Sequence, residues 1–177
     1  IAPVYLFTGI RGTGKTTLAR ILVKTVNCLN PLENAEPCNE CENCREIMES
    51  KSPDIIEIDG ASNNSVDDVR NIKENVSYSP IKSKYKVYII DEVHMLSKSA
   101  FNALLKTLEE PPEHTIFILA TTDPQKIPTT VLSRCQRYDL RRLTIDDVVS
   151  QMAKILDSEG LEYDHGALYA IAREGEG

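Results

Sequence analysis

Residues Gly9-Ile10-Arg11-Gly12-Thr13-Gly14-Lys15-Thr16 have the form G-x-x-x-x-G-K-S/T. At this spacing glycines let backbone N–H groups curl around phosphate oxygens, a lysine supplies a point charge, and a hydroxyl can ligate Mg²⁺. The setting suits that chemistry. The apolar run Val4-Tyr5-Leu6-Phe7 precedes the loop as a strand, and Leu18, Ile21, Leu22 and Val26 follow at helical spacing, so a helix N-terminus would add partial positive charge. Gly9, Gly12 and Gly14 are read as shaping the loop. Together with Thr13 they cradle phosphate, Lys15 reaches the terminal phosphates, and Thr16 and Thr17 engage phosphate and Mg²⁺.

A second group of residues extends this chemistry. Val87-Tyr88-Ile89-Ile90-Asp91-Glu92 is a buried-type strand ending in two carboxylates, as in a Walker B element. Beside a phosphate loop, Asp91 would hold Mg²⁺, and Glu92 would orient and deprotonate an attacking water. His94 follows and is read first as a structural hydrogen-bonder. Leu119-Ala120-Thr121-Thr122-Asp123-Pro124 closes another strand, where Thr122 would sense the terminal phosphate or position the water; a plain strand-to-turn exit suits the same residues equally well.

Cys28, Cys38, Cys41 and Cys44 form a C-x9-C-x2-C-x2-C pattern. Four thiolates at these spacings suit a closed tetrahedral Zn²⁺ site, with Cys28 tying the insertion to the end of the first helix. Disulfides fit a reducing compartment poorly, and the fourth C-x3-C-P step of ferredoxin spacing is missing. A site with four protein ligands has no open position for water and is structural. Its turn-rich surroundings need the metal for order. Cys135 stands apart and is expected to pack as a small buried residue.

These groups must be positioned by alternating strands and helices. Strands are expected at Val4 to Thr8, Ile55 to Asp59, Lys86 to Asp91, Thr115 to Thr121 and Arg137 to Leu140. Helices are expected at Val66 to Val76 and Ser99 to Glu109, the latter capped by Ser97 and ended by Pro111-Pro112. The alternation predicts an α/β fold, a parallel sheet covered on both faces. Thr144 and the acidic residues after it mark a new helix start and a domain boundary. Residues 1–143 form the core, with its cysteine insertion at about 28–44, and 144–177 begin a helical second domain with helices near 146–158 and 165–173.

Composition narrows the class. The 177 residues are 41% hydrophobic with a formal net charge of −7, which argues against a self-sufficient nucleic-acid binder. Apolar runs have strand length, far short of a bilayer span, and the N-terminus has no leader-like pattern. A cytoplasmic protein without membrane association is expected. The missing initiator Met and the end at Gly175-Glu176-Gly177 suggest an excised fragment.

Phosphate loop, acidic strand end and polar strand exit together resemble the AAA+ ATPase architecture. Ser133-Arg134-Cys135, and the run from Phe101 to Pro112, are similar to elements of bacterial clamp-loader subunits, and nearly the whole chain resembles the DNA polymerase III gamma/tau family. The resemblance implies a five-stranded AAA+ P-loop core with a zinc-binding insertion and a helical lid. It also implies ATP as the nucleotide and a motor that opens a sliding clamp on ATP binding and releases it on primed DNA after hydrolysis. Partners would be other clamp-loader subunits in a hetero-oligomer, the sliding clamp and primer-template DNA. Arg134 would act in trans, as an arginine finger in the neighbouring subunit's ATP site; on residue type alone it would pair with a surface carboxylate. Two rivals are a non-hydrolysing clamp-loader scaffold, disfavoured by the intact loop, and a branch-migration AAA+ motor, disfavoured by the cysteines and Ser133-Arg134-Cys135.

Overall fold

The computed structural model describes residues 1–175. Five parallel strands, β1 (Val4–Thr8), β2 (Ile55–Asp59), β3 (Lys86–Asp91), β4 (Thr115–Thr121) and β5 (Gln136–Asp139), form one sheet in the order β2-β3-β4-β1-β5. The three inner strands are almost wholly buried, which explains their continuous apolar sequences. Edge strand β5 is short and exposed, and pairs with β1 alone.

Side-chain alternation divides the core in two. Val87 and Ile89 pack with Tyr5, Phe7, Ile116 and Ile118 against α1 (Lys15–Asn27) and α2 (Glu42–Met48). Tyr88 and Ile90 pack with Leu6, Phe117 and Leu119 against α3 (Val66–Val76) and α4 (Lys98–Glu109). On α4, Phe101, Leu104 and Leu108 turn inward at i, i+3 and i+7, with Leu105 packed beside them.

The helix starts follow capping chemistry. Ser97 accepts from Ala100 N at the head of α4. Ser65 and Asp68 form a reciprocal capping box on α3, as do Thr144 and Asp147 on α6 (Ile145–Ser158). Four-residue α5 (Thr129–Leu132) lies between β4 and β5. Helices α6 and α7 (His165–Glu174) bury Val149, Leu168 and Ala172 in a cluster of their own. Residues 176 and 177, the end of the expected second domain, lie outside the described residues.

Most expected elements are present, with shifts at their ends. The last strand begins one residue earlier than expected and stops at Asp139, its pairing running out where β1 ends at Thr8, whose carbonyl takes the last bond from Leu140 N. Helix α2 was not anticipated. It forms inside the cysteine insertion because Cys41 caps it through its sulfur, and Cys44 and Ile47, three residues apart, face inward. Among the described residues, no helix is long and apolar enough to cross a membrane.

Candidate nucleotide and metal sites

Strand β1 ends in the loop, which is pinned at its start by Gly9 N donating to Thr121 O. Gly12 and Gly14 have φ of +87° and +83°, and a Cβ added at either would meet no atom within 4 Å. Glycine is needed there for backbone conformation. The turn ends with Gly14 as the N-cap of α1, offering no side-chain cap, so the first N–H groups of that helix are left for a ligand.

Gly12, Gly14, Lys15, Thr16, Thr17, Asp91 and Glu92 line one cavity of about 600 Å³, at the carboxyl end of the sheet. Seven of the expected site residues, separated by up to 80 positions, are thus brought together. Arg11 lines it too; it stands inside the motif, but the motif's pattern assigns it no role. Thr16 Oγ1 donates to Asp91 Oδ2 at 2.7 Å, placing the two expected Mg²⁺ ligands side by side. Lys15 is buried, with Nζ donating to Gly9 O at 2.9 Å and Ile10 O at 2.8 Å. Thr13 Oγ1 also donates to Ile10 O, at 2.8 Å, and so stiffens the loop from within.

The second carboxylate is held from β4. Glu92 Oε2 accepts from Thr122 Oγ1 at 2.9 Å and Thr122 N at 3.2 Å, with His94 Nδ1 at 3.3 Å. His94 Nδ1 is also 3.0 Å from Thr121 Oγ1, in keeping with the structural role expected of it. Glu92 has left-handed backbone angles, φ 44° and ψ 46°, a conformation costly for a non-glycine residue. Its N–H donates to Asp91 Oδ1 at 2.9 Å. Gly60, which sequence reading passed over, donates its N–H to Asp91 O at 2.8 Å; a Cβ there would lie 2.7 Å from Glu92 O. Only glycine lets β2 approach this turn so closely.

Arg134 does not line the cavity of its own chain. It pairs with Glu109 at 2.9 Å and donates to Thr130 O, the surface pairing that its residue type alone suggests. Cys135 is half-buried against the α3 and α4 core, with Sγ 3.1 Å from Val131 O, and burial pushes its thiol up to about 11.

The sulfur atoms of Cys28, Cys38, Cys41 and Cys44 all lie within 4.8 Å of one another. Zn–S bonds of about 2.3 Å in a tetrahedron require sulfurs about 3.8 Å apart, so the cluster fits zinc with little contraction. Backbone N–H groups of Cys38, Cys41 and Cys44 point at Cys28, Cys38 and Cys41 sulfurs at 3.3, 3.3 and 3.5 Å, a chain of donors suited to thiolates. Burial pushes Cys44 up to about 12. Burial also opposes ionisation of Cys41, but N–H donation from Leu29 and Cys44 outweighs it and draws that thiol to about 6.

The family model for DNA polymerase III, delta subunit, matches residues 1–144. The chain is 58% identical over 174 residues to DNA polymerase III subunit tau of Bacillus subtilis (strain 168), and 52% identical over 173 residues to subunit tau of Escherichia coli (strain K12). These alignments cover 98% of this chain and 31% and 27% of the relatives, so it spans less than a third of their length. Among solved structures, a DNA polymerase III gamma subunit-related protein of Thermotoga maritima aligns with TM-score 0.58 at 22% identity, covering 96% of this chain and 53% of that one. The Thermotoga maritima RuvB Holliday junction branch migration motor aligns with TM-score 0.61 at 20% identity, covering 97% and 48%. At such identities the structures establish a shared AAA+ fold and nothing finer. The family match over most of the chain shows that it belongs to the DNA polymerase III delta subunit family, with tau and gamma subunits as similar relatives.

Proposed function

We propose that this chain is the ATP-binding part of a clamp-loader motor subunit of the gamma/tau kind. The reading rests above all on Thr16 Oγ1 and Asp91 Oδ2 meeting at 2.7 Å in the loop-lined cavity. That pair would hold Mg²⁺, which supplies charge neutralisation between the terminal phosphates. Lys15 would exchange the Gly9 and Ile10 carbonyls for phosphate oxygens. Glu92, held by Thr122, would accept the proton of the attacking water. The four cysteines would bind one structural Zn²⁺.

In the assembly, ATP binding would drive opening of a sliding clamp, and hydrolysis its release on primer-template DNA. Residues 1–143 would act as the core and 144–177 as the start of the lid, in keeping with the separate cluster of α6 and α7. Arg134 would leave its Glu109 pair and complete the ATP site of the adjacent subunit. That exposed pair is worth at most about 1 kcal/mol, so it is easily exchanged. The scaffold alternative lacks support because Lys15, Thr16, Asp91 and Glu92 are all present and converge. The branch-migration alternative shares the fold but does not account for the cysteine cluster.

The test is MgATP binding and turnover by the full-length protein with its loader partners, clamp and primed DNA. Lys15→Ala should abolish both activities. Glu92→Gln should keep binding and lower turnover by about 10²–10⁴-fold, the range for loss of a positioned general base. No turnover by the wild-type assembly, or near-normal turnover by Glu92→Gln, refutes the assignment.

A further inference from the structure

A second cavity, of about 410 Å³, lies between β2, β3 and α3. It opens on the sheet face opposite α1. Ile56, Ile58 and Ile72 form apolar walls. Lys86 and Tyr88, two residues apart on β3 and therefore on the same face, also line it. Tyr88 lies about 10 Å along the strand from Asp91, at 3.3 Å per residue, and Asp91 points to the other face. The cavity is thus separate from the nucleotide chemistry.

Its polar groups are unbalanced. Tyr88 is 1% exposed and stacks on Phe117 at 5.3 Å, yet its hydroxyl has no hydrogen-bond partner among the described residues. A phenylalanine would pack the same way without the cost of burying an unsatisfied hydroxyl. Lys86 is 9% exposed; its ammonium donates to Asn75 O at 2.7 Å and makes no ion pair among the described residues. An ammonium has three donors, so two remain. Asp68 is the one carboxylate on the lining, and its Oδ2 is engaged by Ser65 N at 3.1 Å and Ser65 Oγ at 2.6 Å in the α3 cap. The amides of Asn63, Asn71 and Asn75 complete the polar lining, and against it the Tyr88 hydroxyl and the Lys86 ammonium keep unused donors among apolar walls.

We propose that this cavity binds a small amphipathic oxyanion, a carboxylate or phosphate carried on a flat apolar body. The anionic oxygens accept from the Tyr88 hydroxyl and Lys86 ammonium, and the body lies against Ile56, Ile58 and Ile72. The volume is within the range of small-molecule sites, about 300–1,000 Å³.

The test uses the full-length protein with its nucleotide site saturated by MgADP, titrated calorimetrically with benzoate, phenyl phosphate and benzamide. Benzoate or phenyl phosphate should bind, the tighter of the two identifying the headgroup, and neutral benzamide should bind at least about tenfold more weakly. Tyr88→Phe and Lys86→Met should each weaken the oxyanion at least about tenfold. Tyr88→Phe should melt at or above the wild-type temperature, since it removes a hydroxyl without a partner. Absence of binding by both oxyanions, equal affinity for benzamide, or unchanged affinity in Tyr88→Phe overturns the proposal. So does a Tyr88→Phe protein that melts below wild type, which would place a structural water on the hydroxyl.

Discussion

Replacing Asp54 by Asn tests how β2 and β3 are held together below the nucleotide site. Asp54 is 1% exposed. Its Oδ1 accepts from Ile81 N at 2.6 Å, and its Oδ2 accepts from Lys82 N and Ser83 N, both at 2.8 Å. The peptide oxygen of Asp54 also accepts from Val87 N at 2.8 Å, so this residue anchors both the loop after α3 and the start of the strand leading to Asp91. An asparagine keeps the shape but loses the charge that makes such bonds about twice as strong, and its NH₂ must face at least one N–H donor. Bonds to a charged group contribute about 1.5–3 kcal/mol each, and an orphaned donor costs about 1–3 kcal/mol. The expected loss is about 3–5 kcal/mol, lowering the melting temperature by about 10 °C for a chain of this size. Burial alone would raise the Asp54 pKa, but the three N–H donors outweigh it and hold the carboxyl below its ordinary value of 3.8. Its contribution is therefore complete above the unfolded-state pKa, and is lost as pH falls through the lower folded-state value. Urea titrations of both proteins should give a constant difference from about pH 5 to 8, narrowing below about pH 4. A loss under about 1 kcal/mol near neutrality, or a difference that persists undiminished in acid, would refute the charge-assisted account.

Two further predictions concern the metal and the assembly. Metal analysis of protein purified without chelator should find about one zinc per chain, and Cys44→Ser, which alters the fully buried ligand, should lower both zinc content and melting temperature; a metal-free protein melting like the zinc-loaded one would sink the structural role. Arg134→Ala in a reconstituted loader should leave ATP binding to the same subunit intact while slowing hydrolysis at the adjacent one by about 10³–10⁵-fold, and loss of binding in its own subunit would contradict action in trans.

The parts legible in the sequence are those governed by spacing along the chain. Apolar runs located the inner strands because both faces of each are buried, and the i, i+3, i+4, i+7 pattern located α4. Gly12, Gly14 and Lys15 were legible because phosphate binding needs local backbone geometry. What stayed hidden depends on pairs far apart in sequence. Asp54 looks like a turn residue ahead of a strand, yet its partners lie 27–29 positions away. Gly60 looks like any glycine in a turn until Glu92 O is found 2.7 Å from where its Cβ would stand. Helix α2 was missed because a seven-residue helix offers little periodicity and its cap is a cysteine, which the usual N-cap preferences do not include.

The same division explains why Glu92 is the most informative residue of the site. Its identity at the end of β3 was readable, but its conformation was not. A left-handed backbone at a non-glycine residue costs about 1–3 kcal/mol and persists only where the surroundings enforce it. Here they do so from three directions: Gly60 makes room behind the turn, Asp91 Oδ1 takes the Glu92 N–H, and Thr122 holds the carboxylate from β4. Two of those three restraints come from strands other than its own. The carboxylate is thus tied to the residue that follows β4 as well as to the end of its own strand. A site that needed only to bind phosphate would require no such arrangement at Glu92. Under the proposed reading, in which Glu92 activates water, this strain would serve a hydrolytic subunit and have no use in a scaffold sharing its fold.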